Sequence, residues 1–160
     1  MKKTVLNYLV KCPALLFVVM AFAACDADKF YDESLSLTGD RWPKEDALSF
    51  TVSIEDTIRP YSFYLNVRHS SSYKYNNIHF FLTTTYPGGG MSRDTIECML
   101  AAKNGKWLGK GSGRYRDNRI WIRDNIRFPR KGEYTLRLNQ AMREDVLVGI
   151  SEAGIRLEKK

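Results

Sequence analysis

Cys25 is the residue whose surroundings most directly specify a reaction. It follows Ala23-Ala24 and an uncharged apolar run from Pro13 to Ala24, with Lys2 and Lys3 at the start of the chain. A charged start, a short apolar run and small residues at the cut make a secretory signal peptide. Small residues directly before a cysteine also match the lipobox of bacterial lipoproteins. There the thiol is alkylated with diacylglycerol and the cysteine becomes the new N-terminus. Phe22 departs from the leucine usual in that motif. The run is shorter than the ~20 apolar residues of a membrane-spanning helix. Lipidation of Cys25 is therefore expected, ahead of a transmembrane span or plain secretion with a spare thiol. Several acyl chains hold a protein on a bilayer far more firmly than one.

No other group of residues specifies a reaction so directly. Cys12 leaves with the signal, so Cys98 has no partner for an internal disulfide. It alternates with Ile96 and Leu100, which places it on an apolar face as a small buried residue. His69 ends an apolar-alternating run, and His79 points away from the apolar face of Ile78 and Phe80. Neither joins a Cys/His cluster with metal-ligand spacing, so no metal and no cofactor are expected. Gly109-Lys-Gly-Ser-Gly113 invites a phosphate reading, but it does not follow a strand and open a helix. A flexible hairpin or bulge is the expected role. Asp94, Glu97, Asp117 and Asp124 are scattered, whereas glycosidic chemistry needs two carboxylates facing across a cleft. No nucleophile-elbow sequence occurs. The chain is expected not to be an enzyme.

The elements that must carry these residues are strands. Period-two alternation runs through Leu48–Ile54, Tyr61–Val67, Ile78–Leu82, Ile96–Leu100, Ile120–Ile122 and Tyr134–Leu138, with one or two more strands between Val146 and Leu157. Alternation gives each strand one apolar and one wet face. Turn chemistry separates the runs at Pro60, Pro87-Gly-Gly-Gly90, Asn104-Gly105, Pro129 and Lys131-Gly132. The fold expected is all-β, a single β-sandwich of jelly-roll or Ig-like type. Phe50, Phe63, Leu65, Phe80, Leu82, Leu136 and Leu138 should be buried. The domain plan is a signal peptide over 1–24, a lipidated cysteine and acid-rich tether over 25–39, and the sandwich over 40–160. Phe30, Tyr31, Leu35, Leu37 and Trp42 are apolar exceptions around the tether, suited to an edge strand or to packing on the domain.

Charge narrows the partners. The formal charge is +7, but Lys2, Lys3 and Lys11 lie in the signal, leaving the mature chain near +4. A mildly basic exported domain is not expected to bind nucleic acid. Arg114, Arg116, Arg119, Arg123, Arg127, Arg130 and Lys131 crowd one stretch with Tyr115 and Trp121 between them. They suit the wet face of strands and a turn, with anionic sugar or lipid head groups as the alternative ligand. Tyr61, Tyr64, Tyr73, Tyr75 and Tyr86 suit either strand surfaces or an interface.

Beyond pattern, the wording is specific. Its pieces include Tyr61-Ser-Phe-Tyr-Leu-Asn-Val-Arg68, Tyr73-Lys-Tyr75-Asn-Asn77-Ile78, Asp94-Thr-Ile-Glu97 and Gly105-Lys-Trp107-Leu-Gly109-Lys-Gly111. Phe128-Pro129, Gly132-Glu-Tyr134, Gln140-Ala-Met-Arg143 and Gly154-Ile-Arg156 follow. In this order and spacing they resemble the GldH-type gliding-motility lipoproteins, from the signal to Leu157. The extra glycine in 109–113 departs from that pattern. The resemblance implies a non-enzymatic accessory component that helps assemble or stabilise the gliding and type IX secretion machinery. It implies a place in the cell envelope, on the outer membrane in preference to the inner. The partners would be a membrane, through the N-terminal lipid, and other gliding or secretion proteins, with no small-molecule substrate. No catalytic residues come with it. A function expressed through binding draws on a few Trp, Tyr and Arg side chains, so Tyr73, Tyr75, Trp107 and Arg143 are the candidate partner-binding residues. A carbohydrate-binding surface module is the alternative. It would need exposed, coplanar aromatic rings in a shallow groove.

Overall fold

In the computed structural model, which describes residues 28–160, the alternating runs become strands. They are β1 (Lys29–Ser36), β2 (Arg41–Pro43), β3 (Leu48–Ile54), β4 (Tyr61–Ser70) and β5 (Asn77–Thr85). Then come β6 (Met91–Met99), β7 (Tyr115–Ile126), β8 (Gly132–Gln140), β9 (Val146–Val148) and β10 (Ile150–Lys159). The one helical turn among the described residues is a 3-10 turn at Thr38–Asp40. The expected signal peptide and Cys25 lie outside the described residues.

Two four-stranded sheets form the sandwich, in the orders β1-β10-β4-β7 and β3-β8-β5-β6, with β2-β9 as a small third ladder. Every pairing is antiparallel. Eight strands shared equally between two sheets, with the chain crossing repeatedly from one to the other, is the jelly-roll solution, not the seven- or nine-stranded Ig grouping.

Alternation fills the space between the sheets. Along β4, Tyr61, Phe63, Leu65, Val67 and His69 are all buried. Phe50, Phe80, Leu82, Leu136 and Leu138, expected in the core, are buried and join the same cluster. Trp42 is fully buried at the β2-β9 ladder, its ring 5.8 Å from Phe80, and its indole N–H donates to the Asp46 carbonyl at 2.8 Å.

One expectation is corrected. The stretch 25–39 was expected as a tether, with the domain starting at 40, yet β1 occupies Lys29–Ser36 and pairs with β10 from Lys29↔Glu158 to Ser36↔Glu152. The acid that made this segment look like a tether is what binds it. Asp32 pairs with Arg156 at 2.6 Å, and Asn66 donates to Asp32 at 2.8 Å. Arg156 is only 1% exposed and also meets Glu158 at 2.6 Å. Gly154 lets β1 approach, because a methyl group there would collide with the Glu33 carbonyl and the Ser34 hydroxyl. All ten strands and the core between them therefore close within 29–159.

The long strands define two ends. The near end holds the start of β1, the 55–60 loop, the 86–90 turn, the 127–131 loop and the end of β10. The far end holds the 71–76 and 100–114 loops, the 141–145 loop and the β2-β9 ladder.

Candidate functional site

The four candidate residues, from three separate loops, all arrive at the far end. Ser70 builds the first loop. Its hydroxyl accepts the Ser72 N–H at 3.2 Å, and its carbonyl accepts the Tyr73 N–H at 3.0 Å. That turn folds the Tyr73 ring back over Gly149, which has φ +100° and where any Cβ would sit 3.2–3.4 Å from Tyr73. Tyr73 is thus 5% exposed, with its hydroxyl donating to the Asn77 carbonyl at 3.2 Å. Tyr73, a candidate partner-binding residue, therefore lies beneath the surface instead of on it. Its polar neighbours by sequence are not its neighbours in space.

The residue that organises the cluster is His69, which was given no such role from the sequence. It is fully buried, with ring centroids 4.5 Å from Trp107 and 5.7 Å from Tyr73. Tyr75 meets Tyr73 edge-on at 5.7 Å and 69°. A carbonyl only accepts, so the 2.9 Å contact from His69 Nδ1 to the Ser70 oxygen places the proton on Nδ1. Nε2 is then a buried acceptor with no partner. Burial holds this imidazole below its ordinary range, so it is neutral at physiological pH. A further step of the period-two count along β4, from Val67 to His69, was the signal that it faces the core.

Around this buried base lies the exposed rim. The Tyr75 hydroxyl donates to Glu144 at 2.6 Å, and Lys74 pairs with the same carboxylate. Together, Lys74 first, they hold Glu144 below the usual carboxylate range. Gln140, buried, braces the next loop. Its amide donates to the Glu144 carbonyl and its oxygen accepts the Met142 N–H, both at 2.8 Å. Arg143 projects from that braced loop, exposed, and its guanidinium has no partner among the described residues. Trp107 is half-buried, held by the Ala101↔Trp107 bridge. Leu108 and Val148 are 57% and 51% exposed at the same end.

Other expectations fall into place. Cys98 is buried, and burial pushes its thiol up to about 12, so it stays protonated and unreactive. His79 lies half-exposed, 3.7 Å from Glu97. The 109–113 segment is a turn closed by the reciprocal Lys110–Asp117 backbone pair, both bonds 2.8 Å. Much of the basic stretch is the wet face expected. Arg119 is within 3.9 Å of Asp32 and 3.8 Å of Glu158, and Arg114 pairs with Asp40 at 3.0 Å.

A groove of about 530 Å³ runs between β6 and β7, one edge strand from each sheet. Phe63, Leu82, Phe128 and Leu136 form its floor. Its carboxylates, Asp94 and Glu97, both sit on β6, and Arg123 and Arg127 stand on the other side. Paired acids across a cleft, as glycosidic hydrolysis requires, are not what it offers. Among the described residues no three His, Cys, Asp or Glu converge as a metal site.

The family model described as GldH lipoprotein matches residues 29–157. The "Gliding motility lipoprotein GldH homolog" of Christiangramia forsetii is 32% identical over 151 residues, covering 90% of this chain and 92% of its own. The "Gliding motility lipoprotein GldH" of Flavobacterium johnsoniae is 28% identical over 153 residues, covering 91% and 94%. Among solved structures, a chain of the infectious bursal disease virus Gx strain superposes with a TM-score of 0.34 at 12% identity, over 82% of this chain and 32% of that one.

Proposed function

The chain belongs to the GldH lipoprotein family, and from that premise we propose that it is a non-enzymatic accessory component of the envelope apparatus for gliding and type IX secretion. Lipid on Cys25 would hold one end to a membrane, the outer in preference to the inner, and the far end would hold a partner protein. The relatives' names carry the gliding-motility part of this reading. The family is not a known enzyme family, and the groove between β6 and β7 lacks opposed acids.

The observation that carries the docking part is the far end itself. Arg143, Leu108 and Val148 are exposed there on loops fixed from beneath by buried Gln140, Tyr73 and His69. An interface needs such a rigid base, because ordering loose side chains on binding costs affinity. The position also suits the role. A ten-residue strand rises about 3.3 Å per residue, so the far end stands roughly 30 Å from the start of β1. A carbohydrate module fits less well, because Tyr73 and Tyr75 meet edge-on and Trp107 lies against His69 instead of offering an open face.

Two substitutions test this. Arg143→Ala and Tyr75→Ala should leave folding intact and reduce secretion or motility in cells, with a partner-binding loss of about 2 kcal/mol or more where the residue is a hot spot. Full function in both would remove the far end as the docking surface. For the anchor, Cys25→Ala should abolish labelling by radioactive fatty acid, and label persisting on that variant would sink the lipidation reading.

A further inference from the structure

The place where β1 begins changes what the near end must do. Resting on the proposed lipidation of Cys25, three residues, Asp26 to Asp28, separate the anchor from Lys29, the first residue of the sheet. Fully extended, the four steps from Cys25 to Lys29 reach about 14 Å. The domain is not at the end of a long tether but is held against the bilayer with its near end inward. We infer that the near end is itself a membrane-binding surface, suited to anionic phospholipid head groups.

The surface chemistry there fits that occupant. Asp56 accepts the N–H groups of Ile58 and Arg59 at 2.9 and 3.1 Å, a turn that thrusts Ile58 outward to 82% exposure. Arg127 fixes the same turn from β7's end, its Nε donating to the Ile58 carbonyl at 3.1 Å. Met91, at the 86–90 turn, is 72% exposed. Between these two apolar tips stand Arg127, Arg130 and Lys131, all exposed. Near the anchor, Lys159 lies over Phe30 at 5.3 Å, and its backbone N–H bonds the Asp28 carbonyl at 2.7 Å. Carboxylates are present too. Asp56 is turned onto its own loop and ion-paired to Arg59 at 3.7 Å, and Glu55 and Glu133 flank the patch. Isolated apolar tips set among arginine and lysine side chains are the way a peripheral surface engages acidic head groups while its apolar atoms enter the interface.

The test uses the chain from Asp26 onward, which contains all ten strands and no Cys25, so its outcome does not depend on lipidation. Co-sedimentation with phosphatidylcholine vesicles containing phosphatidylglycerol should show binding that weakens with salt and is absent on phosphatidylcholine alone. Each cation near an acidic membrane is worth about fivefold in partitioning. Arg130→Glu combined with Lys131→Glu should therefore lower binding by more than about tenfold, and Ile58→Ser should lower it several-fold. All of these side chains are exposed, so unchanged melting temperatures should accompany the losses. Arg143→Glu at the far end should change little. The inference is overturned if vesicle binding does not depend on phosphatidylglycerol, or if Arg143→Glu weakens it as much as the near-end variants do. If fatty-acid labelling of Cys25 fails while the vesicle result holds, the anchor is wrong and the surface stands.

Discussion

Both ends of the sandwich are closed by aromatic rings, but the two closures differ in kind. At the near end Phe30, Tyr61, Phe128, Tyr134 and Tyr86 form a chain with successive centroids 4.9, 5.6, 4.8 and 5.8 Å apart. The Tyr134 hydroxyl donates to the Arg130 carbonyl at 2.8 Å and accepts the Arg130 N–H at 3.1 Å. At the far end the central ring is an imidazole with an unpartnered nitrogen. A buried acceptor left unpaired costs about 1–3 kcal/mol. The near end is built for closure, whereas the far end retains a feature that closure alone does not require.

The sharpest way to break this contrast is to truncate one ring at each end. Tyr134→Ala should cost about 3–5 kcal/mol, because it removes a fully buried ring and strands the Arg130 backbone groups. Tyr73→Ala should cost less, about 2–3 kcal/mol, since its ring lies under surface loops and touches water. Urea unfolding midpoints measure both. Equal losses would erase the distinction.

A second test uses pH. Burial depresses the His69 pKa in the folded state, so below about pH 6.5 the unfolded chain binds a proton that the folded chain refuses. Stability should therefore fall as pH drops through that range toward the folded value. His69→Phe should remove this component while staying within about 1 kcal/mol of the parent at neutral pH, because the Ser70 carbonyl keeps the Tyr73 N–H. A melting temperature with the same slope between pH 7 and 5 in parent and variant would show that His69 titrates freely.

The near end's own acid response should come later and be smaller. Lys160, then Ser62 and Trp121, hold the Asp124 carboxyl down at about 2. Being a depressed carboxylate, it contributes fully above its ordinary value near 4 and loses that contribution as pH falls toward 2. Asp124→Asn should flatten only that lowest window in an acid titration of the melting temperature. Smallest of all should be Arg143→Ala, whose exposed side chain should alter stability by no more than about 0.5 kcal/mol. A larger loss would move Arg143 from the docking rim to the scaffold.

The strands between the two ends were the most legible part of the sequence, apart from β1. Alternation in β3, β4, β5 and β8 identified the buried Phe50, Phe63, Phe80 and Leu136 because each strand has one wet and one dry side. The same rule did not delimit β1, although Phe30, Tyr31, Leu35 and Leu37 suited an edge strand. Its outward face carries Asp32, whose cationic partner, Arg156, lies 124 residues away. Local composition cannot see such a complement, so an acidic strand read as a tether. Tyr73 failed for a related reason. Polar Ser, Lys and Asn surround it in the chain, while Gly149 and His69 surround it in space. Arg143 was named because interfaces draw on arginine, but nothing in the sequence showed that Gln140 braces its loop.

The β1–β10 ladder has a mechanical consequence. Under the proposed anchor ahead of Lys29 and the proposed partner at the opposite end, tension would enter along the axis of β1. The backbone bonds that join β1 to β10 from Lys29↔Glu158 to Ser36↔Glu152 lie across that axis. They are therefore loaded together in shear instead of being peeled apart one at a time. The Asp32–Arg156 contact in the middle of the ladder acts as a clamp against sliding. A strand attached in this way bears load along its whole length, which suits a part fixed to a membrane on one side and to moving machinery on the other.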